Sequence, residues 1–229
     1  MRSLIIVCLL SGHLAFCQNT QTSELIGSWN YTEEGVVTNM IIANGYFSIS
    51  QYDDNSFVGT SGGSWSINNG GWLVLGIEFD SKNPQQVNKV VNKSFQLNNG
   101  ELTLDEKTWT KVDDGTPGQL SGAWYISARM RDGEMRERKL GSRITMKILS
   151  GTRFQWIAYN TETAEFLGTG GGTYTSQDGL YTENIAFFSR NQSRVGASLE
   201  FKFELKEGNW HHSGKSSKGK DIYEVWSLR

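Results

Sequence analysis

One predicted strand in the second half of the chain combines titratable and apolar side chains. Tyr181, Glu183, Ile185 and Phe187 fall on one face if residues 179–188 are extended, because side chains alternate along a strand. If the apolar pair faces a core, the Glu183 carboxylate is buried there and needs a partner. Such a group can orient a ligand or exchange a proton, or simply complete a core hydrogen-bond network. The candidate partners are His211, His212, Arg153, Arg194 and a tyrosine hydroxyl.

The neighbouring histidines His211 and His212 invite a metal interpretation. Adjacent residues of a strand point to opposite faces, so the two rings cannot easily share one ion. The remaining histidine, His13, lies in an N-terminal segment expected to be removed. We therefore predict no metal and no cofactor, with one inward histidine beside Glu183 as an alternative site for haem or a weakly bound metal.

Aromatic rings are frequent in the same half, where they can line a pocket, stack on a sugar or fill a core. Trp156 and Trp210 have no counterpart in the first half, which makes them better ligand candidates than the repeated tryptophans. The predicted ligand-binding set is Trp156, Tyr159, Tyr174, Tyr181, Glu183, Trp210, His211 and His212.

A basic segment, residues 129–139, surrounds the Asp132-Gly133 dipeptide, which predicts a hairpin. It is either a solvated, partly self-neutralised ribbon or a lip that attracts carboxylated, sulfated or phosphorylated ligands. The predicted anion-contacting residues are Arg129, Arg131, Arg136 and Arg138.

The elements that position these residues are repeated along the chain. Residues 25–29 (LIGSW) return as 120–124 (LSGAW), and residues 57–65 (FVGTSGGSW) return as 166–174 (FLGTGGGTY). Two diverged copies of one module therefore follow each other. The predicted divisions are a first repeat at 18–114, a linker at 115–118 and a second repeat at 119–229.

Both copies alternate apolar and polar residues, and Asn-Gly or Asp-Gly pairs recur between the alternating segments. In the second copy we predict strands near 122–130, 135–140, 143–149, 152–160, 164–175, 179–188, 196–206, 209–214 and 221–228. Glycine clusters at 62–63 and 170–172 predict bulges or corners. The predicted fold is all-β, with two tandem small antiparallel up-and-down β-barrels.

The N-terminal residues 1–17 have the charged start and short apolar core of a signal peptide. Secretion or a periplasmic location is expected, with a lipid anchor on Cys17 as the alternative. The chain's two cysteines, Cys8 and Cys17, both lie in this segment, so no disulfide or thiol chemistry is expected in the folded body. No transmembrane segment is predicted.

The formal net charge of −2 gives no reason to expect a nucleic-acid partner. The basic residues are concentrated in the second half: residues 118–229 carry 16 Lys and Arg against 12 Asp and Glu. The second repeat is therefore the half more suited to an anion.

Residues 168–174 (GTGGGTY), 181–185 (YTENI), 210–214 (WHHSG) and 223–226 (YEVW) together resemble the lipocalin-like, calycin-type secreted proteins of Bacteroidetes. The resemblance is clear over the second repeat and faint over the first. It implies a small antiparallel barrel with an interior ligand site and an envelope or secreted location. That group is largely of unknown function, so the resemblance implies no specific substrate or reaction.

The function predicted from these features is non-covalent binding of a small apolar or amphipathic ligand, or part of a glycan, by the second barrel. One alternative is an isomerase or lyase using Glu183 with a histidine or tyrosine as general acid and base. Another is a surface-mediated adhesion or interaction protein. The sequence contains no nucleophile motif, which favours binding over catalysis.

Overall fold

The computed structural model describes residues 22–54, 56–98, 100–216 and 219–229. The predicted signal peptide lies outside these residues. Within them the chain forms two β-sheets, and its two 3-10 helices, Pro84–Gln86 and Gln192–Arg194, are single turns. The predicted all-β fold with two tandem antiparallel barrels is confirmed.

The first sheet is antiparallel, with the strand order β6-β5-β4-β3-β2-β1-β9-β8-β7. Its two end strands, β6 and β7, are consecutive in the chain and separated only by Ser94, so the sheet curls into a nearly closed barrel. The strands are β1 (Gly27–Glu33), β2 (Val36–Ala43), β3 (Tyr46–Tyr52), β4 (Phe57–Ile67), β5 (Leu73–Asp80), β6 (Val90–Lys93), β7 (Phe95–Asn98), β8 (Glu101–Leu104) and β9 (Lys107–Asp113).

The second sheet closes completely, because β10 pairs with β18 as well as with β12. Eight strands form this barrel, and β11 extends from β10 as an outer hairpin strand. The strands are β10 (Gly122–Arg131), β11 (Glu134–Glu137), β12 (Arg143–Leu149), β13 (Arg153–Asn160), β14 (Glu165–Gln177), β15 (Leu180–Phe188), β16 (Ser198–Lys206), β17 (Asn209–Lys215) and β18 (Asp221–Leu228).

The glycine clusters form bulges, as predicted, at Gly62/Gly63 and Gly171/Gly172. The second bulge corrects one prediction about strand faces. Because Ile185 pairs with Gly172 while Phe187 pairs with Gly171, the alternation shifts by one residue between them. Phe187 therefore points out of the barrel, where it stacks on Tyr52 of the first barrel at 4.8 Å.

The two barrels pack together through equivalent surfaces. Phe57 stacks on Phe166, its own counterpart in the repeat, with ring centroids 6.0 Å apart. The contact of Tyr52 with Phe187 is mirrored by the contact of Phe79 with Tyr159 at 4.9 Å. An apolar cluster fills the interface, so the interface has local two-fold pseudosymmetry. The buried members of this cluster are Ile41, Ala43, Phe79, Ala123, Ile144, Met146, Ile148, Ile157 and Tyr159.

Asp113, at the end of β9, binds the turn between β12 and β13. Its carboxylate accepts hydrogen bonds from Ser150 Oγ at 2.8 Å, Gly151 N at 2.9 Å and Thr152 Oγ1 at 2.6 Å. Burial alone would raise the pKa of Asp113, but these hydrogen bonds and one from Gly115 lower it. The segment between the sheets is thereby fixed to the second barrel, while the predicted domain boundaries stay a prediction.

Candidate functional site

Glu183 lies inside the second barrel, as its alternation predicted, and forms a buried ion pair with Lys147. Lys147 Nζ lies 2.8 Å from Glu183 Oε1, and both side chains are over nine-tenths buried. The Tyr181 hydroxyl donates a second hydrogen bond to the same oxygen at 2.9 Å. The predicted tyrosine partner is thus present, whereas the principal partner is a lysine that the sequence analysis did not consider.

Lys147 also lies among the faces of aromatic rings. Its Nζ is 4.8 Å from the centroid of Tyr181, 4.9 Å from that of Trp210 and 5.3 Å from that of Trp226. The negative ring faces stabilise an ammonium ion that has lost most of its water. The ion pair and the rings together explain how the barrel accommodates a charged lysine.

A second buried carboxylate, Glu224 on β18, lies beside this pair. Arg129 donates a charge-assisted hydrogen bond to its Oε1, and Trp226 Nε1 lies 3.1 Å from Oε2. Burial would raise the pKa of Glu224, but the positive charges of Arg129 and Lys147 beside it lower it to about 2. Glu224 is therefore ionised across the physiological range. Lys147, Glu183, Glu224 and His212 are buried, and the partly exposed Arg129 joins them at the edge; we call these five residues the charge cluster.

The two histidines point to opposite faces, as predicted. His212 is 2 % exposed in the interior, with Nδ1 3.6 Å from Glu224 Oε2, and neither ring nitrogen has a hydrogen-bond partner in the described part of the protein. Burial and the charge of Lys147 lower the pKa of His212, so the ring is neutral. His211 faces outward, with Nδ1 2.8 Å from the Tyr223 hydroxyl.

An open cavity of about 630 Å³ lies at the end of the barrel above the charge cluster. We call it the mouth cavity. Trp156 and Ala158 of β13 and Thr145 of β12 belong to its wall, while Arg129 belongs both to this wall and to the charge cluster. The lining residues are Arg129, Arg131, Arg136, Glu137, Arg138, Arg143, Thr145, Trp156, Ala158 and Arg190.

Glycines in β14 position Arg190 and Trp156. A Cβ on Gly168 would lie 2.4 Å from Arg190 Nε, and a Cβ on Gly170 would lie 2.7 Å from Trp156 Nε1. Arg190 is held by the Leu167 carbonyl and lies over the Trp156 ring, 5.8 Å from its centroid. The glycine-rich strand thus leaves the space in which a cation and an aromatic ring lie together at the cavity wall.

The structure separates the predicted site residues. Of that set, Trp156 lines the mouth cavity, whereas Tyr181, Glu183, Trp210 and His212 lie in the barrel interior, and His211 lies outside. Tyr174 is buried in the interior and donates to the Ser150 carbonyl at 2.6 Å. Tyr159 faces the first barrel, where its hydroxyl lies 2.5 Å from Glu78, and it also contacts Arg229 of its own repeat at 2.9 Å.

Sequence reasoning missed Lys147, Glu224, Arg143 and Arg190. In β12, Ile144, Met146 and Ile148 share one face, a pattern that favours a core on that side and solvent around Lys147. That apolar face packs against the first barrel instead, so Lys147 points inward. The structure shows that the apolar face of β12 is covered by a second surface, the first barrel, rather than by the strand's own barrel core. The signal in the sequence was the alternation of these apolar residues with Lys147, although alternation alone does not say which face is inside.

The comparisons with known proteins concern the second barrel. Residues 119–227 match a family described as "Domain of unknown function (DUF4488)". This match covers somewhat under half of the chain and includes both the charge cluster and the mouth cavity. No curated protein matches the sequence. The lipocalin-like resemblance and the Bacteroidetes origin stay predictions.

Two properties of the described residues concern membrane spans and metal sites. No helix among them is long and apolar enough to span a bilayer. No group of three or more His, Cys, Asp or Glu side chains among them could hold a metal ion. The polar and aromatic groups at this end of the barrel are the arginines and Trp156 of the mouth cavity, with the charge cluster below them.

These groups differ in their access to a ligand. Glu183 is already bonded to Lys147 and Tyr181 and does not line the mouth cavity. The arginines and Trp156 do line it and offer forked donors and an aromatic surface. The arrangement is therefore suited to holding an anion with an apolar part.

Proposed function

We propose that this protein is an exported binding protein whose second barrel holds a small amphipathic molecule through an anionic group. The observation that carries this proposal is the mouth cavity itself, in which six arginines surround a wall containing Trp156. A volume of about 630 Å³ is in the range of sites for drug-sized ligands. Trp156 contacts the apolar part, and the arginines bind the acidic group.

The ligand position follows from which groups have unused hydrogen-bonding capacity. Arg131, Arg138 and Arg143 line the cavity without a carboxylate in salt-bridge contact among the described residues. An acidic group placed between two of them receives forked hydrogen bonds. Its apolar remainder then reaches Trp156, Thr145 and Ala158.

The direct test compares two fluorescent probes with one aromatic skeleton. 8-Anilinonaphthalene-1-sulfonate carries a sulfonate, and N-phenyl-1-naphthylamine is its uncharged counterpart. We expect saturable binding of the first with one site per chain and at least about tenfold weaker binding of the second, because charge-assisted hydrogen bonds are lost. Equal affinity would contradict the anionic part of the proposal, and no saturable binding of either would contradict the whole of it.

Matched variants locate the site. Ala158→Gln places in the mouth cavity the residue that the first barrel has at the equivalent position, Gln51, and keeps the barrel core intact. We expect it to abolish probe binding while leaving the thermal unfolding temperature nearly unchanged. Trp72→Ala removes an exposed tryptophan far from the cavity and serves as the control. Binding that survives Ala158→Gln would place the probe elsewhere.

The general acid–base alternative has less support. Glu183 is buried, ionically paired and not part of the cavity wall, so a substrate in the mouth does not reach it.

Export is proposed from the signal-like residues 1–17. Intact-mass analysis of protein purified from its own cells checks it: a mature chain starting at Gln18 is expected, and a diacylated Cys17 would indicate the lipid anchor instead.

A further inference from the structure

The mouth cavity carries more positive charge than its surroundings neutralise. Of its six arginines, Arg129 is paired with Glu224, and Arg136 lies 3.7 Å from Asp132. Arg190 is bonded to a carbonyl oxygen, which is a dipole and leaves the guanidinium charge in place. Glu137 is the one acidic residue in the cavity wall among the described residues.

The arginines that line the cavity also repel one another. Burial and the charges of Arg129, Arg143 and Arg131 lower the pKa of Arg138. Like charges gathered in one concave site raise the local potential and concentrate anions there. A ligand with a single negative charge compensates only part of this potential, because one acidic group can pair with only one or two guanidinium groups at a time. The six arginines come from β10, from β11 and the residue after it, from β12 and from the segment after β15.

The equivalent end of the first barrel is a control within the same molecule. Its cavity is smaller, about 260 Å³, and is lined by Lys82 and Lys107 together with Asp80 and Asp105. Lys107 is paired with Glu33 at 2.5 Å. Opposite charges are balanced there, so the unbalanced arginines are a property of the second barrel and not of the barrel fold.

We propose that the ligand of the mouth cavity is a small polyanion, with two or three acidic groups carried on a planar ring scaffold. This inference rests on the proposed function and specifies its ligand class. Arg131, Arg138 and Arg143 bind separate acidic groups, and the ring lies against Trp156 on the side that Arg190 leaves open. The limited volume of the cavity, about 630 Å³, suits a small molecule.

The test is a charge series on one scaffold: naphthalene-1-sulfonate, naphthalene-1,5-disulfonate and naphthalene-1,3,6-trisulfonate, titrated by calorimetry at constant ionic strength. We expect the dissociation constant to fall by about tenfold with each added sulfonate, as expected for one charge-assisted contact each. The trisulfonate should also lose the most affinity when the salt concentration is raised. Equal affinities across the series would overturn the polyanion inference and leave the proposed function standing, whereas no binding by any member, or by the anilinonaphthalene probe, would count against both.

The arginine variants supply a second readout. Arg138→Gln and Arg143→Gln should each weaken trisulfonate binding by about tenfold and monosulfonate binding by less than about threefold. Lys139→Gln removes the same charge from the same segment but outside the cavity wall, and should leave both affinities unchanged. If Lys139→Gln weakens the trisulfonate as much as Arg138→Gln does, the effect is a general surface charge and the inference is wrong.

Discussion

The two barrels place chemically opposite residues at equivalent interior positions. In the matched registers, Lys147 corresponds to Met40, and Glu183 corresponds to Leu75. Tyr181 likewise corresponds to Leu73, and His212 to Leu104. The first barrel fills with aliphatic side chains the space in which the second holds a charge cluster.

This difference teaches that the fold does not require the buried charges. The nearly closed first barrel packs Met and Leu at these positions, and burying an ion pair costs desolvation that apolar packing avoids. The buried charges therefore have a role that is specific to the second barrel. Arg129 joins the cluster to the mouth cavity, so the cluster supports the wall of the proposed binding site.

The largest expected effect comes from breaking the buried pair. Glu183→Leu introduces the residue of the first barrel but leaves the Lys147 ammonium unpaired, which should lower the free energy of unfolding by about 3–5 kcal/mol. Adding Lys147→Met should restore most of that loss, because two apolar residues replace two charges. Urea denaturation of both single variants and the double variant measures the coupling.

The reciprocal substitution is the control for this cycle. Leu75→Glu buries an unpaired carboxylate in the first barrel and should destabilise the protein by several kcal/mol, with no rescue by Lys147→Met. A double variant that is no more stable than Glu183→Leu would show that the second barrel has come to depend on its charges.

The next effect is on the pH dependence of stability. The pKa of Glu224 is lowered from 4.5 in the unfolded chain to about 2 in the folded protein, so its carboxylate stabilises the fold above pH 4.5. This contribution, about 3 kcal/mol, should be lost as the pH falls from 4.5 to 2. Unfolding free energies of the wild type and Glu224→Gln should therefore differ at pH 7 and converge near pH 2.

The first barrel again provides the comparison, because Lys107 occupies the position equivalent to Glu224. Lys107 is an exposed member of a surface pair with Glu33. Lys107→Gln should leave stability nearly unchanged at any pH between 2 and 7, because an exposed ion pair is screened by solvent. A gap between wild type and Glu224→Gln that stays constant down to pH 2 would contradict the assigned pKa.

A smaller effect is expected at the pseudosymmetric interface. Tyr159 and Tyr52 make equivalent ring contacts, but of the two only the Tyr159 hydroxyl bonds Glu78 across the interface and Arg229 of its own repeat. Tyr159→Phe should cost about 1–3 kcal/mol, since Glu78 and Arg229 lose a partner, while Tyr52→Phe should be nearly neutral. Thermal unfolding of the two variants side by side gives the comparison, and equal losses would show that the hydroxyl contributes nothing.

The sequence predicted the architecture well because each strand carries local signals. Alternation and Asn-Gly or Asp-Gly turns gave β12 over 143–149 and β18 over 221–228 with the observed bounds, and the glycine clusters gave the two bulges. Placing Glu183 inside also followed from alternation. These features depend on neighbours along the chain or on one face of one strand.

The remainder depends on packing between distant segments. Tyr159 and Phe187 point into an interface that cannot be predicted from the pattern of a single strand. Lys147 points inward because the first barrel covers the apolar face of β12. Arg190 joins the mouth cavity through a contact with Trp156 from a distant part of the chain. The arginine-rich hairpin was predicted to contact an anion from its sequence. Its position at a cavity could be seen only once the barrel was closed, because the cavity is lined by residues from distant strands.

The smallest effect separates two equivalent glycines. Gly168 and Gly59 each leave room for a basic side chain, Arg190 and Lys82, but only Gly168 has a positive φ, of +145°. Gly168→Ala should cost about 1 kcal/mol and displace Arg190 from Trp156, whereas Gly59→Ala should cost less because the flexible Lys82 can move aside. Trisulfonate titration then decides whether Arg190 matters: weaker binding by Gly168→Ala alone indicates a positioned cation, and equal binding by both variants shows that Arg190 only covers the strand.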